Sequence, residues 1–138
     1  MPAIRRQINI AAPPRAVWSV LTTGDGLAKW LASSARIDAR EGGRVVLSAG
    51  AAGEEKESRG LVHTWRPTSH LEISFDRVGD SELRGSHVAF KLARDGDETR
   101  LNLVHSGGEA LDDEARRGAL DRVWAGALDK LQTLLDAP

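Results

Sequence analysis

The first ten residues alternate between apolar and polar side chains, and this alternation predicts a β-strand. The strand runs from Ile4 to Ile10, and one of its faces carries Ile4, Arg6, Ile8 and Ile10. The segment Ala11 to Pro14 ends it. The chain therefore opens with one strand before any helical pattern begins.

Two short helices are predicted next. Pro14 suits the first turn of a helix, because the backbone N–H that proline lacks has no partner there anyway. The apolar residues at helical spacing in the first helix are Val17, Trp18 and Leu21. We interpret Trp18 as core packing. A second helix from about Asp25 places Leu27, Trp30 and Leu31 on one side.

The middle of the chain predicts antiparallel strands, each with one apolar and one polar face. The apolar series are Leu71, Ile73 and Phe75, then Val88, Phe90 and Leu92, then Leu101, Leu103 and His105. Turn residues separate the strands at Gly42-Gly43, 50–53, Pro67, Gly79-Asp80, 95–97 and Gly107-Gly108. Short turns favour hairpins, and a polar outer face favours a sheet covered on one side only. We expect about six strands after the helices.

A long amphipathic helix is predicted from roughly Asp112 to Leu135. The acidic residues Asp112, Asp113 and Glu114 suit its first turn, where the helix dipole favours negative charge. A helix of ~24 residues is ~36 Å long and can cross a whole sheet. A straight helix cannot touch a strongly bent sheet everywhere, so we expect a gap between the two.

Composition excludes several classes of protein. The 138 residues form one domain, 1–138, and the absence of cysteine excludes disulfide frameworks and thiolate chemistry. The net charge of −1, with both signs mixed along the chain, argues against a nucleic-acid partner. No apolar run is long enough for a membrane span, and the first residues do not resemble a signal peptide. We expect a cytoplasmic protein.

The ordered pattern resembles the START-like (SRPBCC) superfamily, and within it the group named after the heat-shock protein 90 ATPase activator homologues. The segments that carry the resemblance are 8–14, 17–22, 27–30, Gly42 to Val45, 60–62 with Pro67 and Leu71, 99–107, and Trp124 with Leu128 and Leu131. Two positions depart from the family pattern. Leu31 stands where the family often has a second aromatic residue, and Gly108 stands where a large apolar residue is common.

The resemblance implies an α+β helix-grip fold, in which a curved antiparallel sheet (β-α-α-β6-α) wraps around a long C-terminal helix. It also implies that the space between sheet and helix holds hydrophobic molecules, and that some distant relatives cyclise polyketides. The co-chaperone that gives the group its name has a further domain, for which we expect no room in this chain.

Eight residues are predicted to contact a ligand in that space. They are Trp30, Trp65, Phe75, Phe90, Leu103, His105, Trp124 and Leu128. For any single one of them, ordinary core packing is the competing interpretation. The strand face of Trp65 depends on a register that the sequence leaves open.

His105 is the most informative polar residue, because alternation places it inward beside Leu103. One interpretation is a histidine hydrogen-bonded to backbone or water, and the other is the polar anchor of a ligand. Ser106 points to the opposite face of the strand, so the pair is not a catalytic dyad.

No catalytic or metal site is predicted. His63, His70 and His87 are scattered without a metal-ligand spacing, Asp112 and Asp113 are explained by the helix start, and the run 54–57 is interpreted as a solvated loop. We expect no cofactor and no metal.

Three functions remain open. The first is binding of a small hydrophobic molecule without defined catalysis. The second is a co-chaperone-like module that contacts a protein client, and the third is a cyclase-like enzyme that relies on the shape of the cavity and on His105. Both a monomer and a homodimer are compatible with the sequence.

Overall fold

The computed structural model describes residues 2–49, 56–75 and 83–136. Within these residues the chain forms seven strands and four helices. In chain order they are β1 Ala3–Ile10, α1 Pro14–Leu21, α2 Gly24–Trp30, β2 Ser34–Ile37, β3 Arg44–Ala49, β4 Lys56–Arg66, β5 His70–Phe75, β6 Ser86–Asp95, β7 Glu98–Gly107, α3 Glu109–Asp112 and α4 Glu114–Asp136. The predicted turns at 50–53 and Gly79-Asp80 lie outside the described residues.

All seven strands belong to one antiparallel sheet with the order β1-β7-β6-β5-β4-β3-β2. The chain therefore crosses from one edge of the sheet to the other through α1 and α2, and then returns by hairpins. The sheet is curved and open, and α4 lies against its inner face. This architecture confirms the predicted α+β helix-grip fold.

The apolar side chains of the strands and helices meet in one core between the sheet and the helices. The helix α4 contributes Trp124, Ala127, Leu128 and Leu131, which are all buried. On the strands, the burial alternates as the sequence predicts, since buried Val88, Phe90 and Leu92 alternate with residues on the outer face.

The terminal helix is attached to β1 along much of its length. The Arg6 Nε donates to Asp121 Oδ1 at 2.8 Å, and the Gln132 Nε2 donates to the Asn9 carbonyl at 2.6 Å. Near the end of the helix, Asp136 Oδ1 accepts from the backbone N–H of Ala11 at 3.0 Å. These bonds fix α4 to one edge strand of the sheet.

The prediction of one continuous helix from Asp112 was wrong at its start. The short helix α3 ends at Asp112, and Asp113 has extended backbone angles (φ −95°, ψ 118°) before α4 begins. The Asp113 carboxylate accepts from the backbone N–H of Arg116 at 3.1 Å, so it satisfies an N–H that has no partner within the helix. Asp113 thus caps α4 rather than continuing a helix.

The interpretation of residues 54–57 as a solvated loop was also wrong where the chain is described. Strand β4 begins at Lys56, which pairs with Ala49 of β3. Charged residues at the start of this strand belong to the sheet.

Among the helices of the described chain, none is both long enough and apolar enough to cross a membrane.

Candidate ligand-binding cavity

A cavity of about 170 Å³ lies between α2, the inner face of the sheet and the first half of α4. Its lining residues are Leu27, Leu31, Ala32, Leu47, Lys56, Ser58, Ile73, Phe75, Leu83, Val88, Phe90, Leu120, Val123 and Trp124. Twelve of these fourteen residues are hydrophobic, so the wall offers dispersion contacts and few polar ones.

Strand alternation places the sheet wall of the cavity. Ile73 and Phe75 lie two residues apart on β5, and Val88 and Phe90 lie two residues apart on β6. Each pair therefore points to the same face. Ile73 is also paired with Val88 across the two strands, which makes the wall continuous.

Three aromatic side chains form a row beside the cavity. The rings of Trp30 and Phe90 are 6.2 Å apart at 82°, and those of Phe90 and Trp124 are 6.1 Å apart at 72°. These edge-to-face contacts are favourable for aromatic quadrupoles. The Trp30 Nε1 donates to the Val20 carbonyl at 3.1 Å, which fixes the indole to α1. The row is thus held by contacts within the protein.

A series of buried hydrogen bonds fixes Trp124 on the side away from the cavity. The Trp124 Nε1 donates to His105 Nδ1 at 2.9 Å, and His105 Nε2 lies 2.8 Å from Ser86 Oγ. Ser86 Oγ in turn donates to the Leu83 carbonyl. Because an indole N–H can only donate, His105 Nδ1 must be an unprotonated acceptor, and the ring proton is on Nε2. Each polar side-chain atom in the series Trp124, His105 and Ser86 therefore has a hydrogen-bond partner.

The geometry requires a neutral His105, and its surroundings favour that state. The side chain is fully buried, and burial, together with a smaller effect of the nearby His87, lowers the pKa of His105 from 6.5 to about 4. Its protonation would remove the acceptor that Trp124 uses. His105 therefore supports the cavity wall without reaching the cavity.

The structure brings together only part of the predicted contact set. Phe75, Phe90 and Trp124 line the cavity. Trp30 touches it only through Phe90, while Leu103 and Leu128 are buried in the solid core beside it. The ligand-binding role of these residues stays a prediction.

Trp65 and His105 lie away from the cavity surface. The Trp65 ring packs against Trp18, with ring centroids 5.1 Å apart. A ligand could reach His105 only by displacing Trp124 or Ser86, because both ring nitrogens are already bonded. The polar-anchor interpretation does not fit this arrangement. His105 is a satisfied core histidine, but its partners are the side chains of Trp124 and Ser86 rather than backbone or water.

Several lining residues were not predicted from the sequence. Ile73 and Val88 could have been found by alternation, since they share their strand faces with Phe75 and Phe90. Leu47 lies on a strand with no clear alternation, and Lys56 was assigned to a loop. Leu120 and Val123 are on the edge of the apolar face of α4, where Leu120 is half-buried and Val123 is exposed.

The rim of the cavity is largely apolar, with Lys56 as its one charged residue in the described part of the chain. Val123 on α4 is 62% exposed, although it is a large hydrophobic residue. The half-buried side chains of Leu31, Leu83 and Leu120 also line the cavity. Leu31, which departs from the family pattern directly after α2, is therefore part of the cavity lining.

Gly108, the second departure, is explained by backbone geometry. Its φ of +82° lies in the left-handed region, and a Cβ there would come within 2.9 Å of the Arg84 carbonyl oxygen. A larger residue would strain this turn.

Among the described residues, no group of three or more histidine and acidic side chains is placed to hold a metal ion.

Comparisons with known proteins agree on fold and family. The family model described as Activator of Hsp90 ATPase homolog 1-like protein matches residues 11–136. No curated protein matches the sequence.

Solved structures also resemble the chain. A protein from Chromobacterium violaceum is similar with a TM-score of 0.79 at 23% identity, covering 99% of each chain. The Aha1 dimer from Colwellia psychrerythraea is similar with a TM-score of 0.78 at 22% identity, covering 99% of this chain and 97% of the other. CalU16 from Micromonospora echinospora has a TM-score of 0.75 at 26% identity, covering 99% of this chain and 76% of the other.

Proposed function

Since the chain belongs to the Activator of Hsp90 ATPase homolog 1-like protein family, we propose that it binds a small hydrophobic molecule in the cavity between the sheet and α4. The family and the fold support a domain of the ligand-binding or co-chaperone-like kind. The observation that favours the ligand is the cavity itself, whose wall is almost entirely apolar and whose lining residue Val123 is exposed.

The size of the cavity limits what it can enclose. An engineered protein cavity of roughly 150 Å³ with a similar apolar lining binds benzene. The volume of about 170 Å³ therefore suits one aromatic ring with a short substituent, or a short acyl chain. A larger ligand would place one ring or chain inside and extend the rest beyond the rim beside Val123.

Preorganisation supports binding at this site. The indole of Trp124 is held by His105, and that of Trp30 is held by the Val20 carbonyl. A ligand that enters need not order these large side chains, so it avoids an entropic cost of binding. Neither indole N–H is open for a ligand, which favours recognition by shape and apolar contact.

The co-chaperone alternative has one structural observation in its favour. A protein client could contact the exposed Val123 and its apolar neighbours on the rim. The cyclase alternative relied on the shape of the cavity and on His105, and it is not favoured here because both ring nitrogens of His105 are bonded within the protein.

Calorimetric titration with ethylbenzene tests the proposal. We expect saturable binding of one molecule per chain, and about fivefold weaker binding after Leu47→Phe, which fills part of the cavity. Leu61→Phe is the matched control, because Leu61 lies on the outer face of the neighbouring strand and is 47% exposed. Absence of binding to the wild type, or equal effects of both variants, would contradict the proposal.

A further inference from the structure

The cavity has one charged residue on its wall in the described part of the chain, and we propose that this residue, Lys56, selects ligands that carry an anionic group next to an apolar body, such as aryl or acyl carboxylates. This inference rests on the proposed function and names the ligand class of the same site.

Strand alternation directs Lys56 toward the cavity. On β4, Lys56 and the buried Ser58 are two residues apart and both line the cavity. Glu57 and Arg59 point to the outer face, where the Arg59 Nε and Glu57 Oε1 are 3.3 Å apart. The carboxylate nearest in sequence within the described strand is therefore on the other side of the sheet.

An inward lysine at this position has no evident role in packing. Lys56 is exposed, so its ammonium group can stay hydrated while its aliphatic stem lies along the apolar wall. A leucine there would close the core better. The ammonium group instead sets a cation at one end of a space whose other walls are leucine, isoleucine, valine and aromatic rings.

The other polar groups near the cavity are engaged within the protein. Trp124, Trp30 and His105 make the hydrogen bonds described above. The orientation of a ligand with an anionic group would then be set by Lys56, with the apolar end directed toward Phe90 and Trp124. Because the whole chain has a net charge of −1, it exerts no general attraction on anions. A preference for them must be local.

The test compares 4-ethylbenzoate with its neutral isostere 4-ethylbenzamide by calorimetric titration at low ionic strength. We expect the wild type to bind the benzoate about threefold to fivefold more tightly, as for an ion pair that is partly open to water. Lys56→Met should remove this preference and Lys56→Glu should reverse it. High salt should weaken it in the wild type, because salt screens exposed charges.

Lys91→Met is the matched control. Lys91 is exposed on the outer face of β6, next to the inward-facing Phe90. This variant should keep the full preference for the benzoate. An equal loss in Lys91→Met and Lys56→Met would overturn the inference, since the effect would then come from overall charge.

The same titrations distinguish a wrong role for Lys56 from a wrong proposed function. Equal affinities of wild type for the benzoate and the benzamide would overturn the role of Lys56 and leave the cavity as a binding site. Absence of binding for both compounds would overturn the proposed function itself.

Discussion

The two sides of the space under α4 differ sharply. On the side of β1 and β7, the helix is bonded to the sheet edge through Arg6, Asn9 and Ala11, and Leu101 and Leu131 fill the interior. On the side of β3 and β4, the first half of α4 faces Leu47 across a cavity of about 170 Å³. One helix thus closes one half of a curved sheet and leaves the other half open.

The difference shows where a helix-grip fold places its cavity. The bonds to the β1 segment hold α4 near one edge of the sheet, and the cavity lies on the side of the opposite strands. Trp124 lies at the boundary, with one side of its ring on the cavity and its N–H bonded to His105. His105 on β7, on the packed side, therefore fixes the orientation of Trp124, which lines the cavity on the other side.

The largest expected effect is acid destabilisation of the closed side. An unfolded histidine takes up a proton near pH 6.5, whereas folded His105 does so only near pH 4. Between these values the unfolded state binds more protons, so stability falls as the pH drops from about 7 to 4. His105 should contribute a loss of up to about 3 kcal/mol. Urea unfolding of both proteins at pH 7 and pH 4 should show the wild type losing up to that amount relative to His105→Leu, so that its advantage at pH 7 disappears or reverses at pH 4.

His105→Leu at pH 7 should lower the free energy of unfolding by about 2 kcal/mol, because the buried N–H of Trp124 loses its acceptor and Ser86 Oγ loses the N–H from which it accepts. His87→Leu is the control, since His87 is exposed on the adjacent strand and points outward. Urea midpoints of the two variants provide the measurement. Equal stability of His105→Leu and wild type would show that the hydrogen bonds of His105 to Trp124 and Ser86 do not stabilise the cavity wall.

The same substitution on the two sides should give different results. Leu101→Phe on the closed side should cost about 1–3 kcal/mol, because overpacking a solid core forces its neighbours to move. Leu47→Phe should cost clearly less, since the added atoms enter the cavity. Thermal unfolding of both variants measures this. Equal costs would mean that the space beside Leu47 is filled in solution.

The smallest effect is expected at the attachment of α4 to β1. Arg6→Ala breaks the bond to Asp121, whose side chain is 43% exposed. Exposed ion pairs are screened by water, so the loss should be at most about 1 kcal/mol. Hydrogen exchange should show faster exchange in the first half of α4. A loss well above this value would indicate that the attachment carries more of the fold than its exposure suggests.

The sequence predicted the strands and the long helix because their patterns are local. Alternation placed Phe75 and Phe90 inward, and helical spacing placed Trp124 against the sheet. The break at Asp113 was missed because three acidic residues in a row each suit a helix start. Only the backbone turn decides which of them is the cap.

The links between distant residues could not be predicted in the same way. His105 and Trp124 are 19 positions apart, and their bond depends on where α4 crosses β7. Alternation correctly placed His105 inward, but only the packing of the helix shows that Trp124 lies between it and the cavity. Lys56 was missed because a charged run typical of a loop begins a strand here.

The most direct test of the central claim is a crystal structure of the protein under xenon pressure. Xenon enters empty apolar cavities of this size without specific polar contacts. We expect a xenon peak between Leu47, Phe90 and Trp124, and no peak on the side of Leu101. A crystal with no xenon beside Phe90, and with side chains filling that space, would contradict an open cavity under α4.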